Sequence, residues 1–515
     1  MDVELQNLPQ DLVACHALIG GLMSELDLRD RKLRQLQHQL EQLLRWRYGR
    51  KREHVDENQL FFEALRIVSG QAPAPEPPAS DPPKAEATAA KKPRRGHGRQ
   101  RLPAHLPRQR KEYDLPAEQR TCPHCRKGLK HIGEETSERL EYVPASMLVL
   151  EEVRHKYACP CGCTVVTAEK PMAPIEKGLP GPGLMAHVSV SKYADHLPLY
   201  RMEGILARHG VELSRSTLCG WARGGAELVT PLYDLMRQRT LASRNLQTDD
   251  TPVAVLDPEL TRTRQGRIWT YVGDAEHPYI VYDYTPNRRQ EGPVEFLKSF
   301  RGRLQADAYS GYDVLYKEPD QRIIEVACWA HTRRKFFEAQ TSDPMRAMIL
   351  LAYIRLLYDV EAQARDKKLD AEKRYALRQA QSLPLLQNIR AYLEREQRGV
   401  LPKSPIAEAI GYALSNWQAL LRYCDDGALD IDNNGAERSL RGIAIGRKNW
   451  MFYGSDNGGR TAAVLGSFMA TCKRLTIDPF VYMRDIFERI SAHSAHRLSE
   501  LLPDQWKAAH VLAPS

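Results

Sequence analysis

Apolar residues recur every seven positions between residues 8 and 50. Leu12, Ile19, Leu26, Leu33 and Leu40 occupy one seam position, and Cys15, Leu22, Arg29, Leu36 and Leu43 the other. About five heptads with one break, at Arg29, fit a coiled coil that would pair copies of the chain, although Gly20 and Gly21 weaken its first half. A helix packed on its own domain is the competing reading. Further on, Leu197–His209 carries helical spacing and runs into Gly210, a residue suited to closing a helix. Ser214 or Ser216 can then cap a second helix through Cys219, Trp221 and Ala222. Two helices joined by a short turn over 180–240 predict a helix-turn-helix with Arg215, Ser216 and Thr217 facing DNA, a layout that many other α domains share.

From residue 245 the period shortens to two. Residues 253–256, 268–272 and 279–282 are β-rich runs separated by Asp257-Pro258 and Gly273-Asp274, as in a meander. A helix near 293–300 and strand-like stretches at 303–307 and 323–328 complete an α/β mixture built on one mixed sheet. Residues 340–425 read as helices. Beyond them come a helix near Gly435–Ile443, a strand-like Asn449–Tyr453 and further helices. The expected fold class is multidomain α/β: a coiled coil (8–50), a linker and arm (71–111), a small module (115–170), a helix-turn-helix (180–240), a mixed-sheet core (245–460) with a helical insertion at about 340–425, and a small helical C-terminal domain (461–515).

Composition narrows the function classes. A chain of 515 residues has room for about three to five domains. No run approaches the ~18 apolar residues of a membrane span, and the acidic N-terminus lacks a secretory pattern, so a cytoplasmic protein is expected. The net charge is +9, and residues 91–111 alone hold nine Lys or Arg and no acid. That arm, with Arg94 and Arg95 at its head, has the footprint of a nucleic-acid binder, though a solvated linker has the same composition. The Pro- and Ala-rich stretch 71–90 before it cannot bury a core.

Two groups of residues carry candidate chemistry. Cys122 and Cys125 form a knuckle of ideal zinc spacing, and Cys159, Cys161 and Cys163 a second, compressed one. Cys159 with Cys163 and Cys159 with Cys161 both remain open as the second pair of a structural Zn²⁺ site, and His124 is a weaker candidate. Five of the ten cysteines fall in this stretch, which argues against unrelated free thiols. Asp249 and Asp250 are expected at the entrance to the first strand, Asp307 at the end of the fourth, and Glu437 just past the insertion. Carboxylates near sheet ends can converge on divalent cations, as phosphoryl transfer requires. Each also has a plain structural role: turn residues, a strand cap, or an i,i+4 partner of Arg441.

The stretches Gln247–Pro252, Leu304–Tyr312, Ala327–Phe336, Asp432–Arg438 and Gly446–Trp450 resemble the transposases of the insertion-sequence 66 family, and the likeness extends to the zipper, Leu102–Pro107, the Cys122 module and Tyr193–Tyr200. The resemblance implies a ribonuclease-H-like core with an Asp-Asp-Glu triad, here Asp249, Asp307 and Glu437, holding two Mg²⁺ with Mn²⁺ as a substitute. It implies cleavage at the ends of an insertion sequence and joining of the freed 3′-hydroxyl to target DNA by two in-line displacements. Asp250 stands where the family usually has Glu. Arg333, Arg334, Arg447 and Lys448 are candidates for phosphate contacts, and His331 could orient a substrate phosphate or pack beside Trp329, the second being the expectation. The implied partners are the terminal repeats, target DNA, a second copy of the chain, and accessory proteins of the same element. The rival readings are a non-catalytic DNA-binding regulator and a nuclease that cuts without joining.

Overall fold

The computed structural model describes residues 16, 19–26, 29, 30, 32, 147–158, 165–167, 173–175 and 179–511 apart from 318, 319 and 321. The chain divides into two units, 75–153 and the remainder. In the smaller unit the described residues, 147–153, have no regular secondary structure. Arg94, Arg95, Cys122, Cys125, Cys159, Cys161, Cys163 and most of the heptads lie outside the described residues. The described part of 16–32 is helical. A short antiparallel ladder, β1 (Lys156–Ala158) with β2 (Val165–Thr167), brackets the segment carrying Cys159, Cys161 and Cys163.

Three helices follow: α1 (Pro182–Tyr193), α2 (Leu199–Ala207) and α3 (Arg215–Leu241). Gly210 takes φ +76° in the turn after α2, a conformation that glycine adopts without steric cost. Ser214 caps α3 by accepting from the Thr217 N–H at 3.2 Å. Val188, Leu199, Met202, Leu206, Leu213, Leu218 and Trp221 close a small core between the three helices. Beyond that core α3 continues, and Val229, Leu232 and Met236 are buried beneath the main sheet.

The main sheet has six strands: β3 (Asn245–Val255), β4 (Arg264–Val272), β5 (Ile280–Thr285), β6 (Gly302–Ala306), β7 (Ile323–Ala327) and β8 (Phe452–Tyr453). Their order is β5-β4-β3-β6-β7, with β8 against the end of β3. The first three strands are antiparallel, and β6 and β7 run parallel to β3. The meander and mixed sheet read from the sequence are both present. The first strand begins earlier than its apolar run suggested, because Thr248 and Thr251 are buried polar residues that hide the alternation. Asp249 and Asp250 are therefore inside β3 and not at its entrance.

Helices α4 (Glu291–Leu297) and α5 (Asp313–Tyr316) flank β6 in sequence. The insertion comprises α6 (Trp329–Ala339), α7 (Pro344–Asp366), α8 (Ala371–Leu377), α9 (Leu383–Gln397), α10 (Pro405–Ser415) and α11 (Trp417–Leu421). It builds its own apolar core, in which Leu357, Ile389, Ile410 and Leu420 are fully buried. Fully burying such a side chain stabilises by about 1.5–3 kcal/mol.

Helix α12 (Asn434–Trp450) lies across the sheet. Ala436 and Leu440 pack on Val253, Val255 and Ile268, and the Tyr282 hydroxyl donates to the Ser439 carbonyl at 2.6 Å. The stretch expected as a strand at Asn449–Tyr453 is helical to Trp450, with only Phe452 and Tyr453 in the sheet.

Helix α13 (Asp456–Leu475) shields the edge strand β5. The N–H groups of Tyr282 and Ile280 donate to the hydroxyls of Ser467 and Thr471, at 2.8 and 3.0 Å, and so find partners without another strand. Helices α14 (Pro479–Arg489) and α15 (Pro503–Val511) complete the chain. Phe468, Tyr482 and Ile486 share one core with Trp269, Tyr271 and Met236, so the C-terminal residues pack into the sheet layer.

Candidate active site

Strand periodicity decides the orientation of the two adjacent aspartates. Successive side chains in a strand point to opposite faces. The odd positions of β3 face α12: the Gln247 carboxamide accepts from the Ala436 N–H at 3.2 Å, and Val253 and Val255 pack against Leu440. Asp249 shares that parity. The even positions face the other side, where the Thr248 and Tyr312 hydroxyls meet at 3.1 Å. Asp250 belongs there, with its carboxylate 3% exposed and bound by Arg267 at 2.8 Å and Arg288 at 2.9 Å.

Asp307 follows β6 immediately. The parallel register pairs Asn245 with Arg303 and Gln247 with Gln305, and its continuation sets 307 level with 249 on the neighbouring strand. Glu437 lies in the first turn of α12. That end of α12 is docked by the segment 430–436. Gln247 donates to Asp430 at 3.1 Å, the Asn433 side chain donates to the Thr248 carbonyl at 3.3 Å, and the Asn433 N–H donates to the Cys328 sulfur at 3.4 Å. The Asp-Asn-Asn-Gly sequence thus ties the insertion, the sheet and α12 together just before Glu437.

Asp249 lies within electrostatic reach of the other acids. Burial pushes the Asp249 carboxyl up to about 7. The charges of Asp307, Glu437 and Asp250 add to the rise, against a single backbone N–H, that of Asp250, donating at 2.8 Å. Burial also raises Asp307, whereas His331 and Arg288 hold it down. The Arg288 guanidinium is 3.7 Å from Asp307 and stacks 4.2 Å over the Tyr309 ring. His331 Nε2 is 3.7 Å from Glu437, and its buried Nδ1 has no partner among the described residues. Glu437 is therefore a neighbour of His331, and no ion pair joins it to Arg441.

The donor chemistry fits a hard divalent cation, since three carboxylates repel one another in a partly buried site. They are not closed on a common centre: among the described residues no group of three His, Cys, Asp or Glu lies close enough to hold a metal ion.

His331 and Arg288 both lie beside these acids; the sequence pointed to His331 but favoured packing beside Trp329 over a role at the substrate, and it did not mark Arg288. His331 sits two positions after Trp329 on α6, so it read as a packing residue. Arg288 is one of a basic pair after β5 with no motif around it. Other expected contacts fall elsewhere. Arg447 donates to the Thr251 hydroxyl at 2.9 Å and the Pro252 carbonyl at 2.8 Å, which fastens α12 to β3. Arg334 pairs with Glu338 on its own helix, Arg333 is half-buried and Lys448 is exposed. Arg215, Ser216 and Thr217 are exposed together at the start of α3.

Comparison with known proteins now decides the family. The family model described as Transposase IS66 family matches residues 177–461. The chain belongs to the IS66 transposase family. Further models match 35–110 (Transposase C of IS166 homeodomain), 119–162 (zinc-finger binding domain of transposase IS66) and 467–503 (IS66 C-terminal element). Among relatives, the uncharacterized protein y4jD of Sinorhizobium fredii is 35% identical over 427 residues, 80% of this chain and 82% of that protein. The uncharacterized protein y4qI of the same organism is 33% identical over 518 residues, 96% of this chain and 93% of that protein. Among the described residues of this IS66-family transposase, no helix is long and apolar enough to cross a membrane.

Proposed function

We propose that this IS66-family transposase cuts DNA at the ends of its insertion sequence and joins the freed 3′-hydroxyl to target DNA, using Asp249, Asp307 and Glu437 in a ribonuclease-H-like core. The observation that carries the reading is geometric: the β3–β6 register sets 307 level with 249 on the neighbouring strand, and Glu437 opens α12, whose first turn is bonded to Gln247 of β3. The order of three antiparallel strands followed by two parallel ones supports the ribonuclease-H-like assignment.

Asp249, Asp307 and Glu437 would hold two divalent cations, Mg²⁺ or Mn²⁺, which supply Lewis-acid activation of the attacking and leaving oxygens. Asp249 must give up its proton to act as a ligand. Arg288 neutralises Asp250 and Asp307 from the far side and keeps the pair from repelling the DNA backbone. His331 stands beside Glu437 and restrains its carboxylate. Cleavage and joining are both in-line displacements at phosphorus, so one site serves each in turn.

The remaining parts support end recognition and pairing. Arg215, Ser216 and Thr217 would read the terminal repeats. Arg94, Arg95 and the basic arm would add salt-dependent affinity for phosphates. Exposed Ile19 and Leu26 on one heptad seam support self-association through the zipper. Cys122, Cys125, Cys159 and Cys163 or Cys161 would hold structural Zn²⁺. Loss of stoichiometric zinc in Cys122→Ser is the expected result, and unchanged zinc refutes that module.

A strand-transfer assay with Mg²⁺ and labelled element ends tests the main reading. The intact chain should give joined product. Asp307→Ala should lose both steps by about a thousandfold, or about 4 kcal/mol, while end binding persists. Cleavage without joined product favours a nuclease, and binding without cleavage favours a regulator.

A further inference from the structure

The chain holds a cleft of about 1140 Å³ that starts beside the acidic site and runs along α12. We propose that it binds a single-stranded segment of DNA continuous with the strand being cut. The inference rests on the proposed transposase reading and adds a binding site for the unpaired part of the substrate.

Gln247 and Arg438 both line the cleft. Gln247 lies two residues before Asp249 on the same face of β3, and Arg438 directly follows Glu437. A strand cut at the acidic site therefore has the cleft beside it.

The charge balance comes next. Five basic side chains line the cleft, Arg374, Arg438, Arg441, Lys473 and Arg474, against the acids Asp274 and Asp430. Both acids are already engaged. Asp274 accepts from the Arg244 N–H at 2.8 Å and pairs with His277 at 3.1 Å, and Asp430 accepts from Gln247 at 3.1 Å and pairs with Arg374 at 3.5 Å. Arg474 is spent on the carbonyls of Gly273, Asp274 and Tyr279. Arg438, Arg441 and Lys473 have no carboxylate partner among the described residues, and all three are exposed. Arg438 and Arg441 are three apart on α12, so they lie on one face of the helix. Unpaired cations along one channel are what a phosphodiester backbone neutralises.

The rest of the lining distinguishes a single strand from a duplex. The half-buried Ile443 and Ala470 add apolar surface to the lining. Duplex DNA offers proteins a backbone and groove edges, whereas unpaired bases expose apolar faces that need such a surface.

The test is fluorescence anisotropy of a labelled oligothymidylate and of a labelled duplex element end, on the full chain and on the double variant Arg441→Glu with Lys473→Glu. Neither residue belongs to the acidic site or to the helix-turn-helix. The expected result is a tenfold or greater loss of oligothymidylate affinity with duplex-end affinity unchanged. Removing two phosphate contacts should also lower the slope of log affinity against log salt by about 1.4. Should charge reversal unfold the chain, Arg441→Gln with Lys473→Gln should still weaken oligothymidylate binding and reduce that slope. Unchanged oligothymidylate affinity overturns the proposal, and so does an equal loss for both DNAs. A chain that cuts ends yet binds no oligothymidylate removes the cleft and spares the transposase reading. One that binds oligothymidylate through these residues but never cuts does the opposite.

Discussion

Asp249 and Asp250 are consecutive on β3 and serve opposite faces of the sheet, one beneath α12 and the other clamped between Arg267 and Arg288. The carboxylate of Asp250 is structural: it satisfies two guanidinium groups in a site nearly closed to water. Asp250→Asn should keep the shape and lose the charge, leaving Arg267 underpaired. A destabilisation of about 2 kcal/mol is expected, since Arg288 is partly exposed and solvent absorbs part of the loss. Urea denaturation measures it, and an unchanged midpoint would show that the pair contributes nothing.

The pH dependence of Asp249 has the opposite sign to that of a salt-bridged aspartate. Its folded value of about 7 lies above the ~3.9 of an unfolded aspartate. Between those values the folded chain keeps a proton that the unfolded chain has released. Stability from this group is therefore full below about pH 4 and is lost as the pH rises to 7. Asp249→Asn should flatten that limb of the stability–pH curve measured without divalent ions. Added Mg²⁺ should stabilise the original chain at pH 8 more than at pH 5.5, because the ligand must be ionised. Equal stabilisation at both values would separate Asp249 from metal binding.

His331 should matter for rate and not for end binding. His331→Ala removes the group next to Glu437 and one of the two that hold Asp307 down. A neighbour that orients a ligand is worth about 10–100-fold. Cleavage should fall within that range, with duplex-end affinity unchanged and partial recovery in His331→Gln. Full activity in the alanine variant would reduce the residue to packing.

Arg447 has a mechanical role. Arg447→Ala deletes its bonds to Thr251 and Pro252 and should destabilise the chain by about 1–3 kcal/mol. Binding to element ends, measured well below the melting temperature, should not change. A selective loss of DNA affinity with unchanged stability would restore the phosphate-contact role read from the sequence.

The architecture was legible where one face of an element meets water. The meander and the insertion helices beyond residue 340 follow from periodicity, whereas the helix at Trp329–Ala339 was not anticipated and the cap was left open between Ser214 and Ser216, of which the structure uses Ser214. Buried polar residues misled the reading: Thr248 and Thr251 broke the apolar alternation, so β3 seemed to start after the aspartates. Asn449–Tyr453 has aromatic β-formers, yet its first residues continue α12, where the rings of Trp450 and Tyr453 stack at 4.4 Å. The proposed triad of Asp249, Asp307 and Glu437 was nameable only through the family resemblance of the stretches that hold them. Arg288 comes beside Asp250 and Asp307 through tertiary folding with no motif around it, whereas His331 stands in the family-like stretch Ala327–Phe336 and was read as packing because Trp329 is two positions away.

The helical insertion separates Asp307 from Glu437 along the chain, and Asp430 and Asn433 bond to β3 just ahead of Glu437. A ribosome therefore completes the helices bearing Arg215, Ser216 and Thr217 well before it delivers the last acid. A polypeptide halted inside the insertion would carry the surface proposed to grip DNA but no means of breaking it. Such a fragment would also lack Phe468, Tyr482 and Ile486, which share a core with Met236 of α3, so truncation would cost packing as well as the proposed chemistry.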